Sequence, residues 1–202
     1  PVTPPTLPDY VWDRTKAESF AGGDGTEKSP FLISTPEQLY KMVVEYSTYD
    51  ASYGVYFKLT EDIYLNDVQD GTSVKSLEYK NNWLAEYGTV IPTASKANSF
   101  NGTLDGDHHT IYGLFAEGAA NAGLFPAISS YTTIKNLGFE NLYITANNGA
   151  AGAIAGQAIY RAWQSAANIT NCYVVDATIG ESENLEFAGG LLGNSNDCSV
   201  TF

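Results

Sequence analysis

Basic residues are scarce in this chain. Ten Lys and Arg stand against 23 Asp and Glu, giving a net charge of −13 and a pI near 4.3. The ten are scattered along the sequence, so the clustered cations that phosphate contacts require are missing. That excludes nucleic acid and anionic lipid as partners. Charged residues make up only 16%, yet no apolar run approaches the ~20 residues of a membrane-spanning helix. Cysteine is limited to Cys172 and Cys198, too few for a small disulfide framework. Histidine is limited to two adjacent residues, so a helical His-Glu-x-x-His zinc site has no material. No basic-then-apolar leader opens the sequence, so any signal peptide is expected to have been removed or to lie outside it.

What remains is 44% hydrophobic, with 19 Gly and 14 Tyr, which reads as a folded, β-rich and turn-rich chain large enough for one sizeable core. Residues 1–10 (PVTPPTLPDY) hold four of the eight prolines and read as a semi-rigid linker. Residues 11–202 read as one domain, with the natural protein expected to continue past Phe202 and to carry neighbouring domains.

The glycine-rich AGGDGTEKSP after Phe20 lacks the Gly-Lys-Ser/Thr of a phosphate loop and reads as a turn feeding a strand at Phe31–Ile33. Thr35, Pro36 and Gln38 form a helix start: a cap, a proline at the first helical position, and a capping-box partner. Leu39, Met42, Val43 and Tyr46 then share one face, giving an amphipathic helix about three turns long suited to capping an N-terminal end. Val55, Phe57, Leu59, Ile63 and Leu65 follow with strand alternation. Residues 66–97 are polar and irregular around an isolated Trp83, and read as a long surface loop, the expected seat of function.

From Phe100 onward the chain repeats. Residues 134–144 (IKNLGFENLYI) align with 169–179 (ITNCYVVDATI) at one offset of 35. Ile134 meets Ile169, Leu137 meets Cys172, Phe139 meets Val174 and Ile144 meets Ile179. Between these inward apolar positions lie Asn136 with Asn171 and Asn141 with Asp176, residue types that tolerate left-handed corners. Each repeat closes on a small-residue stretch read as a strand, AGAIAG (151–156) or AGGLLG (188–193), with an earlier copy in residues 100–125. Val200 begins another. Short strands separated by corners at this period predict an all-β solenoid, a parallel β-helix with an N-terminal capping helix.

These same residues resemble the GLUG-motif proteins of bacterial cell surfaces. The resemblance is carried by FLISTPEQLYKM (31–42), YFKLTEDIYL (56–65), FNGTLDGDHHTIYGL (100–114), IKNLGFENLYI (134–144) and the two glycine stretches. It implies a right-handed parallel β-helix on secreted or wall-attached proteins. In that family the module accompanies adhesins, large surface proteins and immunoglobulin A peptidases outside their catalytic domain. The chain departs from the family after Trp83, where LAEYGTVIPTASKANS replaces a direct run from Trp-Pro-Ile-Gly into the Phe-x-Gly turn.

The most chemical-looking cluster is Asp105, Asp107, His108 and His109. Two carboxylates can serve as acid and base on a glycan, and His with Asp can hold zinc. Adjacent His residues on a strand, however, point to opposite faces. Turn chemistry therefore makes the cluster a structural corner. Asn66, Asp67 and Asp70 resemble part of a calcium loop without its closing Glu. A calcium-dependent lyase would need stacked carboxylates, but residues 126–180 offer only Glu140 and Asp176 as acids and Arg161 as arginine. Cys172 reads as apolar filler, Cys198 sits at another phase, and spacing leaves their bonding open. Asn101 and Asn168 match glycosylation acceptors by coincidence. Trp83 and Trp163 are candidates for stacking on sugars.

The expectation is thus a non-catalytic extracellular β-helix module, without catalytic residues, metal or cofactor, that adheres, displays a ligand-contacting loop or spaces other domains. Its partners would be a surface or host glycan or protein. The alternative is a carbohydrate-binding or polysaccharide-cleaving β-helix.

Overall fold

The computed structural model describes residues 8–84, 98–118, 120–160, 166–196 and 198–201. It is mostly β, and every ladder between its named strands is parallel. The longest sheet runs β1 (Phe31–Ile33), β2 (Tyr56–Leu59), β4 (Thr103–Asp105), β8 (Thr133–Lys135), β12 (Ala167–Thr170) and β16 (Val200–Thr201), paired in that order. A second runs β3 (Ile63–Tyr64), β5 (Thr110–Tyr112), β9 (Gly138–Ala146) and β13 (Tyr173–Ile179), with β6 (Phe115–Gly118) also on β9. The third is β7 (Phe125–Ser129), β11 (Ala155–Ile159) and β15 (Leu192–Asn196). The fourth pairs β10 (Gly149–Ala151) with β14 (Leu185–Ala188). Within each sheet, hydrogen-bonded neighbours other than β1 and β2 are thus separated in sequence by strands that belong to other sheets.

The offset of 35 is the observed register: Ile134 pairs with Ile169, Phe139 with Val174 and Ile144 with Ile179. The four predicted corner residues all take left-handed backbone, with φ of 53° at Asn136, 58° at Asn141, 52° at Asn171 and 50° at Asp176. The corners turn at the residues that pay least for that conformation. At the DGDHH corner the left-handed positions are Asp107 (48°) and His108 (71°), and β4 and β5 lie in different sheets. Gly106 is there for proximity, since a Cβ on it would lie 2.4 Å from the Asn136 carbonyl oxygen.

The glycine stretches differ from their expected form. AGAIAG does not run as one strand: β10 ends at Ala151, β11 starts at Ala155, and Gly152 sits between them. AGGLLG likewise bends between β14 and β15. A Cβ on Gly152 would come within 2.6 Å of both the Ala155 oxygen and the Gly193 nitrogen. Stacked bends this close leave no room for a side chain.

The predicted helix is α1 (Pro36–Tyr46). Thr35 caps it by accepting from the Gln38 N–H at 3.4 Å, while Gln38 Oε1 accepts from the Ser34 N–H at 2.8 Å. The return arm of the box thus reaches one residue further back than the usual pattern. Leu39, Met42 and Val43 bury their face, and Tyr46 is half-buried. One helix was expected, yet a short second one, α2 (Tyr49–Ser52), follows, capped by Thr48. The glycine-rich stretch folds back as a turn, with Gly22 bridging Leu32 beside β1.

Two core textures result. Trp12, Trp83, Phe57, Phe100, Phe125 and Phe139 are fully buried. Around β10 and β11 the buried hydrophobic residues are Ala150, Ala151, Ala153, Ile154, Ala155, Ala158 and Ile159.

Candidate functional site

The DGDHH corner is tied to its neighbours on every side. Register places Lys58, Asp105 and Lys135 across β2, β4 and β8 as one column of alternating charge. Lys135 Nζ lies 3.0 Å from Asp105 Oδ2 and Lys58 Nζ 2.8 Å from Asp107 Oδ2. Asn136 Nδ2 donates to Asp105 Oδ1 at 3.0 Å, and Asn171 Nδ2 donates to Asn136 Oδ1 at 2.8 Å, so one polar ladder climbs three circuits. His109 Nδ1 lies 3.2 Å from Asp62 Oδ1, which also accepts from the Thr110 N–H at 2.9 Å. His108 is exposed and donates its backbone N–H to the Asn136 carbonyl at 2.9 Å. Burial raises the Asp105 carboxyl, but the Asn136 amide, the Asp107 N–H and Lys135 outweigh it and hold the group below the ordinary carboxylate range. A carboxylate held ionised by a cation is a poor general acid.

The described part of the loop expected to be superficial, residues 66–84, is tied into the body. Asn66 and Asn81 are buried and lock together: the Asn81 N–H donates to Asn66 Oδ1 at 2.6 Å, and Asn66 Nδ2 donates to the Gly113 carbonyl at 2.8 Å. Asn141, at its left-handed corner, accepts from the Val74 N–H at 2.8 Å and donates to the Thr72 carbonyl at 2.7 Å. Val68, Val74 and Phe115 form a small apolar cluster beneath. Trp83 is wholly buried, with its ring centroid 5.0 Å from that of Trp12 and its Nε1 donating to the Leu124 carbonyl at 3.0 Å. It is a core residue and not a sugar platform. Residues 85–97, Arg161 and Trp163 lie outside the described residues.

The docked loop encloses a cleft of about 330 Å³ against the second sheet. Its floor is Tyr64, Tyr112 and Glu140, consecutive in register across β3, β5 and β9. The two tyrosine rings stack at 4.6 Å and 7°, and Tyr10 meets Tyr64 edge-on at 5.5 Å. Val68, Gln69 and Gly71 form one wall, and Asn141 and Asp176 supply the corner positions. Burial, then the charge of Asp62, pushes both phenols up; Glu140 adds to each. Sequence reasoning overlooked this site. The available signal was the dipeptide Ile-Tyr at 63–64 and again at 111–112, with Ile inward and Tyr outward on successive strands.

Other sequence candidates resolve individually. Asn66 is spent on the amide lock, Asp67 accepts from the Tyr10 hydroxyl at 2.9 Å, and Asp70 accepts from the Thr72 N–H at 2.8 Å, so the calcium-like triplet does not converge. Among the described residues, no group of three or more His, Cys, Asp or Glu is placed to hold a metal. Asn101 is buried at 2% exposure and therefore closed to a glycan, whereas Asn168 is exposed. Cys172 and Cys198 are free thiols, both raised by burial. No helix among the described residues is long and apolar enough to cross a membrane.

No family model matches the chain. Halomucin of Haloquadratum walsbyi is 30% identical over 149 residues, covering 72% of this chain and 2% of halomucin. A candidate Gly-rich membrane protein of Evansella cellulosilytica is 30% identical over 141 residues, covering 68% of this chain and 14% of that protein. The chain thus spans a small fraction of either relative's length. A solved structure, of a candidate immunoglobulin A1 protease from Bacteroides ovatus, aligns at a TM-score of 0.49 and 17% identity, over 90% of this chain and 66% of that one.

Proposed function

We propose that the chain is a non-catalytic module of an extracellular protein, secreted or attached to the cell wall, built as a right-handed parallel β-helix of the GLUG-motif kind. Residues 11–202 form the solenoid and residues 1–10 a linker within a longer polypeptide that carries neighbouring domains. Strand orders that rise monotonically through all four sheets support the solenoid reading. The small share of two long relatives that the chain matches fits a module set within something larger.

One observation carries the non-catalytic reading. The cluster with the most chemical potential engages Asp105, Asp107 and His109 with Lys135 of β8, Lys58 of β2 and Asp62 just before β3. Groups engaged in holding circuits together are not poised for turnover. In this role the acidic exterior keeps the module solvated while it spaces its neighbours or presents its docked loop. The test is incubation of the purified chain with a panel of polysaccharides and a protein substrate, reading reducing ends and new fragments. The expected result is no product above buffer. Sustained turnover of any substrate, absent from a heat-denatured control, overturns the reading.

A further inference from the structure

We propose that the cleft between the Tyr64–Tyr112 stack and the 68–71 wall binds an uncharged, hydroxyl-rich glycan. The inference rests on the reading of the chain as a surface module and assigns that module a contact site.

The floor of the cleft is a ladder rather than a point. Tyr64, Tyr112 and Glu140 stand on adjacent strands in register, so their side chains recur at about 4.8 Å and the floor is roughly 10 Å long. That shape suits a short linear saccharide better than a compact ion. The opposite wall is preformed, because Asn141 fixes both Thr72 and Val74 and the Asn66–Asn81 lock closes the loop behind them. A ligand entering this space orders little that is not already ordered.

Asp62, Asp67, Asp70, Asp105, Asp107 and Glu181 each have a hydrogen-bond or ion-pair partner. The side-chain carboxylates of Glu140 and Asp176, which line the cleft, accept no hydrogen bond and pair with no cation among the described residues. They are the acceptors left over for a ligand. Sugar hydroxyls donate to carboxylates in charge-assisted bonds, and tyrosine offers ring edge and hydroxyl together. No Lys or Arg lines the cleft, so uronic and sialic acids would meet uncompensated negative charge.

The test is calorimetry of the purified chain with gluco-, xylo- and manno-oligosaccharides, polygalacturonate and an oligolysine peptide. At least one uncharged series should bind, with affinity nearly unchanged in about 0.5 M salt because no counter-charge is screened. Polygalacturonate should not bind. Glu140→Gln should weaken binding about tenfold, the scale of one charge-assisted hydrogen bond. Tyr112→Ala should abolish it, and Tyr173→Phe, outside the cleft, should retain it, with thermal melts confirming that each variant folds. Failure of every uncharged series at millimolar concentration, binding by oligolysine alone, or binding untouched in both cleft variants overturns the proposal. Cleavage of a bound saccharide would instead sink the non-catalytic reading and leave the cleft assignment standing.

Discussion

The early and late circuits solve one packing problem in two ways. Near α1, Trp12 lies 4.9 Å from Tyr40 and 5.0 Å from Trp83, and Phe100 stands 6.1 Å from Phe57 and 4.4 Å from Phe125. Around β10 and β11 the buried side chains are mostly alanine, and the backbones themselves come together. A Cβ on Gly156 would fall 2.5 Å from the Ala150 oxygen and 2.7 Å from the Ala122 nitrogen. Both regions keep the same parallel register, so the interior is not dictated by strand pairing. Rings fill a wide section, and glycine permits a narrow one.

Removing a ring tests the wide section and should have the largest effect. Phe100→Ala is expected to cost about 3–5 kcal/mol in urea unfolding, because the rings packed against it cannot collapse into the gap. A loss under 1 kcal/mol would mean the aromatic section is loosely packed. Adding a methyl tests the narrow section. Gly156→Ala should cost about 1–3 kcal/mol, since the obstructing atoms are mainly backbone. A stabilised variant would show spare space there and erase the contrast.

The smallest effect concerns what both sections share, the polar corner ladder. Asp105 has its carboxyl depressed in the fold despite its burial, by Asn136, the Asp107 N–H and Lys135. A depressed carboxyl contributes stability that is present above its unfolded value, about 3.9, and is lost as pH falls through the folded one. Asp105→Asn should therefore lower Tm at pH 7 and flatten the acid limb of Tm against pH below about pH 4. An acid limb as steep as that of the unaltered protein would show that the ladder does not stabilise the fold.

Much of the stack was legible because its rules are local. Asn136, Asn141, Asn171 and Asp176 could be named as corners from their tolerance of left-handed backbone, and the offset of 35 gave the register directly. Trp83 was misjudged because it stands in a largely polar, irregular stretch. Its burial depends on Trp12, Tyr40 and Leu124, which no periodicity links to it. AGAIAG was read as a strand because small apolar residues alternate there. Only the proximity of the next circuit makes Gly152 a bend. The cleft was missed for a similar reason: Tyr64 and Tyr112 look like ordinary outward positions until the docked loop faces them.

The strand order has one more implication. In each sheet the sequence of neighbours climbs without reversal, from β1 to β16 in the longest. A chain delivered N-terminus first across a membrane would meet a finished edge for every new strand, with α1 already seated on the first turn. Assembly then resembles zippering against a template, in which no strand waits for a partner that has yet to arrive.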